Sequence, residues 1–282
     1  MIIAVLSGGV GNQIFQYAAA YSLSKKKNCK LIIDVSPHYH NVWEHEMRLD
    51  QIIDQNEIFI KNKWIARGIR IIFRIIDFMS FGKIKYVRID EKDAFGFIKI
   101  PEASNYFLNG LFQNINYFDD YFDEFLKKFK VKLKKNVSNK TRIAIHPRKA
   151  DLVDTEIDIC KKDYYERALK EILKLENLNI HNIEIVIFCE ELKWPKENLN
   201  FEGIKKSFII GNDKTCIQDF KTMSNCSHII ISNSTYAWWP AAIIRKISNG
   251  RVICPDLWWN SIPINSLNIY PKDWTKIKTN QE

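Results

Sequence analysis

Ile143-Ala-Ile-His146-Pro-Arg148-Lys-Ala-Asp151 is the stretch whose reading decides the fold. A β-branched run stops abruptly at a histidine, an arginine and an aspartate. Residues 142–145 read as a short buried strand, which puts His146, Arg148 and Asp151 at and just beyond its carboxyl end. Pro147 fixes its own φ and keeps His146 extended, so no helix follows at once. In open α/β sheets, ligands sit beyond the carboxyl ends of the strands. A guanidinium in that place is suited to clamping a phosphate through two parallel hydrogen bonds. An Arg–Asp pair that merely staples the loop fits the same residues.

Strands and helices alternate on both sides of this stretch. Downstream, Asp154, Glu156 and Asp158 precede an expected helix over 162–175. A strand over 183–188 runs into Cys189-Glu190-Glu191. A short strand over 208–210, a helix over 216–224 and a strand over 228–231 follow. That last strand breaks at Ser232-Asn233-Ser234-Thr235, a helix begins near Tyr236, and 252–255 is the last core strand. Upstream, a strand over 2–6 breaks at Ser7-Gly-Gly9-Val-Gly11-Asn12-Gln13 and enters a helix over 14–27. Residues 29–35 and 106–116 read as strands, the second with an exposed-looking Gln113-Asn114 end, and 117–129 as a helix. The lysine-rich segment 130–140 lacks periodicity and reads as a linker. The pattern predicts parallel sheets in two α/β lobes, 1–135 and 136–282.

Strand, glycine turn and helix together aim backbone N–H groups and a helix dipole at an anion. The turn at Gly9-Val-Gly11 lacks the G-K-[ST] of a P-loop and the third glycine of a dinucleotide fingerprint, and a purely structural turn is the alternative. Three strand ends nevertheless offer anion ligands: Gly9 to Asn12, His146 with Arg148, and Ser232 to Thr235. Their coincidence points to one shared site.

Composition bounds the partners. With 46% hydrophobic residues the chain can build cores, which excludes a disordered protein. A net charge of +9 asks for an acidic partner: a nucleotide diphosphate, nucleic acid or an anionic membrane surface. The lysines are scattered, and neither the concentrated basic stripe nor a module expected of a nucleic-acid-binding protein is present. Six cysteines without a C-x-x-C pair or zinc spacing read as small buried hydrophobes in a reducing cytosol. His38, His40 and His45 lie close together with no paired ligands downstream, so a polar loop lining a sugar site fits them better than a metal. Residues 1–6 are too short and uncharged for a signal peptide, and no run of about 18 apolar residues occurs. The expected location is therefore cytoplasmic. Residues 60–79 place Lys63, Arg67, Arg70 and Arg74 at three- and four-residue intervals against Trp64, Ile71, Ile72 and Ile75. This is a basic amphipathic helix. It is either a half-buried helix with snorkelling arginines or one that lies on the inner membrane surface.

Several motifs carry a family likeness. Ser7-Gly-Gly-Val-Gly-Asn-Gln-Ile-Phe-Gln-Tyr-Ala resembles the N-terminal signature of bacterial and animal α-1,2-fucosyltransferases, glycosyltransferase family 11. His146-Pro-Arg-Lys-Ala-Asp151 resembles their H-x-R-R-x-D-Y box. Phe188-Cys-Glu-Glu-Leu-Lys-Trp194 is similar to their F-S-D-D-x-x-W segment, and Ser232-Asn-Ser-Thr-Tyr-Ala-Trp-Trp239 to their S-N-S-[ST]-F-S-W-W box. Leu108-Asn-Gly-Leu-Phe-Gln-Asn and Asp163-Tyr-Tyr also fit, so the likeness spans nearly the whole chain, in order.

The resemblance implies a GT-B fold of two Rossmann-like lobes with a cleft between them, an acceptor-side N-terminal lobe and a C-terminal lobe binding GDP-fucose. It further implies inverting α-1,2 transfer of L-fucose from GDP-β-L-fucose to the 2-hydroxyl of a terminal galactose in a bacterial O-antigen or capsule oligosaccharide, without a metal. Arg148 then meets the donor phosphate, doing the work of a cation. His146 and Asp151 touch the nucleotide or orient the loop. Gly9, Gly11 and Asn12 face the diphosphate from the other lobe. Ser232, Asn233, Ser234 and Thr235 complete the pocket, and Glu190 or Glu191 meets the guanine. The box departs from the family at Pro147, Lys149 and Leu152, and lysine cannot replace a bidentate fork. Asp151, Asp154 and Glu156 are candidate bases for the acceptor hydroxyl. Glu156 stands eight residues after Arg148, the offset of the catalytic glutamate in the similar box of core α-1,6-fucosyltransferases. A catalytically inactive carbohydrate-binding homologue and a nucleic-acid-binding protein are the competing readings.

Overall fold

The computed structural model describes residues 1–39, 46–79, 83–89, 93–132, 140–149, 155–212, 215–259, 262–263 and 268–279. His40, His45, Asp151, Leu152 and Asp154, all singled out above, lie outside the described residues. The chain divides into two compact units, Met1–Lys130 and Val131–Glu282. The boundary expected at 135/136 falls in 133–139, also outside the described residues.

In the first unit, β1 (Ile2–Val5), β2 (Leu31–Asp34), β3 (Ile58–Ile60), β4 (Ile84–Ile89) and β5 (Asn105–Gly110) form one sheet in the order β3-β2-β1-β5-β4. Every pairing in it is parallel. The continuous apolar run of β1 is buried along its whole length, as a central parallel strand covered on both faces must be. Helices α1 (Val10–Lys26), α2 (Leu49–Ile52), α3 (Lys63–Met79) and α4 (Phe122–Leu126) join the strands.

The second unit holds a six-stranded parallel sheet of β6 (Thr141–His146), β7 (Ile183–Cys189), β8 (Lys205–Ile210), β9 (His228–Ile231), β10 (Val252–Pro255) and β13 (Thr275–Ile277). Their order is β13-β10-β9-β6-β7-β8 and their pairings are parallel. Taken from the first strand outward, this is the 3-2-1-4-5-6 order of doubly wound nucleotide-binding sheets. Helices α5 (Lys162–Leu175), α6 (Lys193–Asn198), α7 (Cys216–Met223) and α8 (Thr235–Ser248) are the connections, and β11 (Leu257–Trp259) pairs with β12 (Ile262–Pro263) as a small antiparallel hairpin. The buried Tyr164, Ala168, Leu169 and Ile172 of α5 recur at helical spacing and pack on the sheet.

Four expectations are corrected. The strand expected over 106–116 ends at Gly110. Phe112 then takes a left-handed φ of 51° and turns the chain inward, so Gln113 and Asn114 are buried, not exposed. The helix expected over 117–129 is a pair of 3₁₀ turns followed by the short α4; its aromatics pack through irregular turns. Helix α1 begins at Val10, so Gly11 lies inside it. Finally, the half-buried α3 with arginines reaching outward is reversed. Only Ala66 and Phe73 of that helix are fully buried, Trp64, Ile71, Ile72 and Ile75 are exposed, and Arg70 and Arg74 turn in toward Asp34 and Tyr86.

Candidate active site

Strand β6 lies at the centre of the second sheet, with β7 on one side and β9 on the other. The chain's direction of winding reverses between β6 and β9, and such a switch point opens the crevice in which these sheets bind ligands. Both predicted anion ligands of this unit come from here. His146 is the last residue of β6, paired with Ile231, and Arg148 stands two residues beyond. The segment after β9 meets them: the Ser232 amide donates to the His146 carbonyl at 3.3 Å, and the Arg148 amide donates to the Ser232 hydroxyl at 3.3 Å. Ser232 is therefore a brace for the arginine's backbone.

The next three residues open α8. The Ser234 hydroxyl caps the helix by accepting from the Ala237 amide at 3.4 Å, and Thr235 is the first helical residue, with no acidic side chain in the first turn. That positive helix end suits an anion. Asn233 is buried and donates to the carbonyls of Ile157 (3.0 Å) and Trp258 (2.9 Å). It ties the loop before α5 to β11, a structural duty.

His146 is buried, its ring 5.5 Å from that of Tyr236, and its Nδ1 has no hydrogen-bond partner among the described residues. Burial, reinforced by the Arg148 charge, pushes its pKa down to about 4. The imidazole is thus neutral at physiological pH. It offers a ring nitrogen rather than a charge, and the positive field there comes from Arg148.

Lys149 takes another direction. It is 2% exposed, forms a buried ion pair with Asp158 and stands 4.1 Å from the centroid of the Trp194 ring. Burial pushes the amine down against the pull of Asp158. Burial alone would raise the Asp158 carboxyl, but hydrogen bonds from Lys149 and Lys161 outweigh it and hold the pKa below the usual carboxylate range. The second cation of the box is a structural staple, and the tryptophan of the 188–194 segment is its lid. Sequence alone does not give either partner that part; the nine-residue spacing between Lys149 and Asp158 has no sequence periodicity to betray it.

In the segment after β7, Glu191 accepts from the amides of Lys193 (2.7 Å) and Trp194 (3.2 Å) and so caps α6. Glu190 and Glu156 are exposed. The six cysteines are all free thiols, and burial raises those of Cys160, Cys189 and Cys226. No three His, Cys, Asp or Glu side chains among the described residues are grouped to hold a metal ion.

The glycine turn belongs to the first unit. Gly9 is the N-cap of α1 at φ −66°; the position that demands glycine is Gly8, at φ +71°, where a Cβ would also stand 3.0 Å from Asn12 Nδ2. Asn12 Oδ1 accepts from Gln113 Nε2 at 2.7 Å, linking the ends of β1 and β5, where this sheet too reverses its winding. Two buried glutamines fix the turn from inside α1. Gln13 bonds the Gly8 and Glu46 carbonyls and the Arg48 amide, and Gln16 bonds both the amide and the hydroxyl of Ser7. Beside the turn lies a groove of about 690 Å³, lined by Ser7, Ser36 and Asn109 from the strand ends and by Lys63, Arg67, Arg70 and Arg74 of α3.

Two doubly wound units, one with an arginine and a helix end gathered at its switch point, are the frame of a glycosyltransferase of the GT-B class. A solved α-1,6-fucosyltransferase NodZ of Bradyrhizobium, soaked with GDP-fucose, shares the fold: the TM-score is 0.52 at 12% identity, covering 88% of this chain and 96% of that one. The model for glycosyl transferase family 11 matches residues 5–278, and the chain belongs to that family. It is similar to an α-1,2-colitosyltransferase of Escherichia coli, 25% identical with 99% of each chain covered. It is also similar to the O-antigen biosynthesis glycosyltransferase WbnK of Escherichia coli, at 27% identity over 90% of this chain and 93% of the relative.

Proposed function

We propose that this glycosyltransferase is an inverting, metal-independent α-1,2-fucosyltransferase that moves L-fucose from GDP-β-L-fucose to the 2-hydroxyl of a terminal galactose in a cell-surface oligosaccharide such as an O-antigen unit. The observation that carries the reading is the junction of β6 and β9, where Arg148, the neutral His146 and the start of α8 share one switch point through Ser232. As the acceptor oxygen bonds to C1 of fucose, the C1–O bond to the β-phosphate breaks and negative charge grows on the diphosphate. Arg148 and the amides of α8 meet that charge. The hydroxyl proton passes to a carboxylate, with Glu156, Asp151 and Asp154 the candidates. Glu190 takes the guanine, since Glu191 already caps α6, and the first unit, with its groove, selects the acceptor. The location is the cytoplasm, where nucleotide sugars are made.

The colitosyltransferase relative favours a second donor, because colitose differs from fucose only in lacking the 3-hydroxyl. Incubation with GDP-fucose or GDP-colitose, assorted β-galactosides, and EDTA or none, decides among these. Fucosyl transfer unaffected by EDTA is expected. Transfer from GDP-colitose alone replaces the donor, dependence on added divalent metal overturns the role given to Arg148, and hydrolysis or transfer from neither supports an inactive binding homologue.

A further inference from the structure

Helix α3 packs against the first sheet through a narrow face. Ala66 and Phe73 are buried, and the Phe73 ring lies 5.6 Å from that of Phe107. At about 100° per residue, the cations Lys63, Arg67, Arg70 and Arg74 fall on one line roughly a quarter turn from that face. The outward face is then apolar. Trp64, Ile65, Ile72, Ile75, Phe78 and Met79 are all exposed, Phe78 to 92% and Met79 to 67%. Exposed large apolar side chains elsewhere in the described residues are scattered along the chain; here they form one contiguous surface, the mark of an interaction site.

We propose that α3 docks the protein onto a bilayer surface rich in anionic lipid, with its apolar face at the headgroup–acyl boundary. Charge complementarity selects this occupant. The cationic line borders the apolar face as it does in helices that lie in the interface plane. Arg70 is offset by Asp34 at 3.2 Å, and Asp77 is paired with Lys85 at 3.1 Å. Arg67 and Arg74 face no carboxylate among the described residues, so their positive charge remains for lipid phosphates. No helix among the described residues is long and apolar enough to cross a membrane, so the contact is peripheral. This inference stands apart from the choice of donor and acceptor.

The test is flotation of the full chain with phosphatidylcholine vesicles, with and without phosphatidylglycerol. Binding to the anionic vesicles at low salt is expected, with loss in about 1 M salt, where the screening length falls to roughly 3 Å. Arg67→Glu should weaken it by about fivefold or more, and the triple variant Ile72→Ser, Ile75→Ser, Phe78→Ser should abolish it. All these positions but Arg67 are outward-facing, so transfer to a soluble acceptor by the triple variant should stay at wild-type level. That readout separates lost docking from lost folding. Equal binding to neutral vesicles, no flotation at low salt, or a dimer in light scattering that the triple variant dissociates would each overturn the proposal.

Discussion

Arg148 and Lys149 are neighbours in sequence with opposite work. Arg148→Ala should lower transfer by about 10²-fold or more, as expected for removal of a main charge-stabilising donor. Arg148→Lys should recover only a part, because a point charge cannot reproduce a two-pronged contact. Lys149→Ala should act first on stability. It takes the buried cation away from Asp158, leaving the half-exposed Lys161 of that ion-pair cluster, and breaking a buried pair costs about 3–5 kcal/mol, readable as a shift in the urea midpoint. His146 adds a pH dependence. Its folded pKa of about 4 lies below the ordinary value of about 6.5, so the unfolded chain binds the extra proton first. The stability this imposes is fully present above pH ~6.5 and is lost as pH falls toward 4, on the order of 3 kcal/mol in all. His146→Gln should flatten that part of the profile in unfolding measured between pH 7 and pH 4.5. The place of Arg148, two residues beyond β6, was legible in the sequence because Pro147 follows directly on the apolar run. The duty of Lys149 was not, since its partners Asp158, before α5, and Trp194, in the first turn of α6, approach it only in the folded sheet.

At the scale of elements, the helices and strands with a clean period were readable to the residue. Helix α5 has the bounds its 3.6-residue pattern implies, and β9 those of its isoleucine run. Failures cluster where local chemistry was mixed: β4, with alternating lysine, tyrosine and arginine, the three-residue β3, and the turn at Phe112. Helix α1 shows why its glycine turn is ambiguous in sequence. The turn is shaped by a left-handed Gly8 and by glutamines that point back from the helix interior, a feature that resembles an anion cradle in composition. Gln13 is fully buried and satisfies two carbonyls and an amide. Gln13→Leu keeps the volume but orphans all three, and each unmade buried group costs about 1–3 kcal/mol. Stability should therefore fall by about 3 kcal/mol or more in chemical denaturation. A change below about 1 kcal/mol would mean that solvent reaches the turn.

For the whole molecule, the two units carry separate sheets, and spectroscopic probes report on them unequally. Six of the eight tryptophans, Trp194, Trp238, Trp239, Trp258, Trp259 and Trp274, belong to the second unit, and Trp43 and Trp64 to the first. Trp238 and Trp239 are fully buried, so tryptophan fluorescence chiefly follows the second unit, whereas far-ultraviolet circular dichroism follows both. A ligand that binds only the folded state stabilises it by about 2.7 kcal/mol at a hundred times its dissociation constant. If GDP binds at the β6–β9 junction, adding it should raise the fluorescence melting temperature by several degrees. The dichroism curve should shift as a whole if Gly9 to Asn12 of the first unit also meet the diphosphate, and broaden or split if the second unit alone holds it. Arg148→Ala should remove most of the GDP effect, measured against the variant's own melting temperature without GDP. A GDP shift that survives this substitution in full would place the nucleotide elsewhere and take the diphosphate away from Arg148.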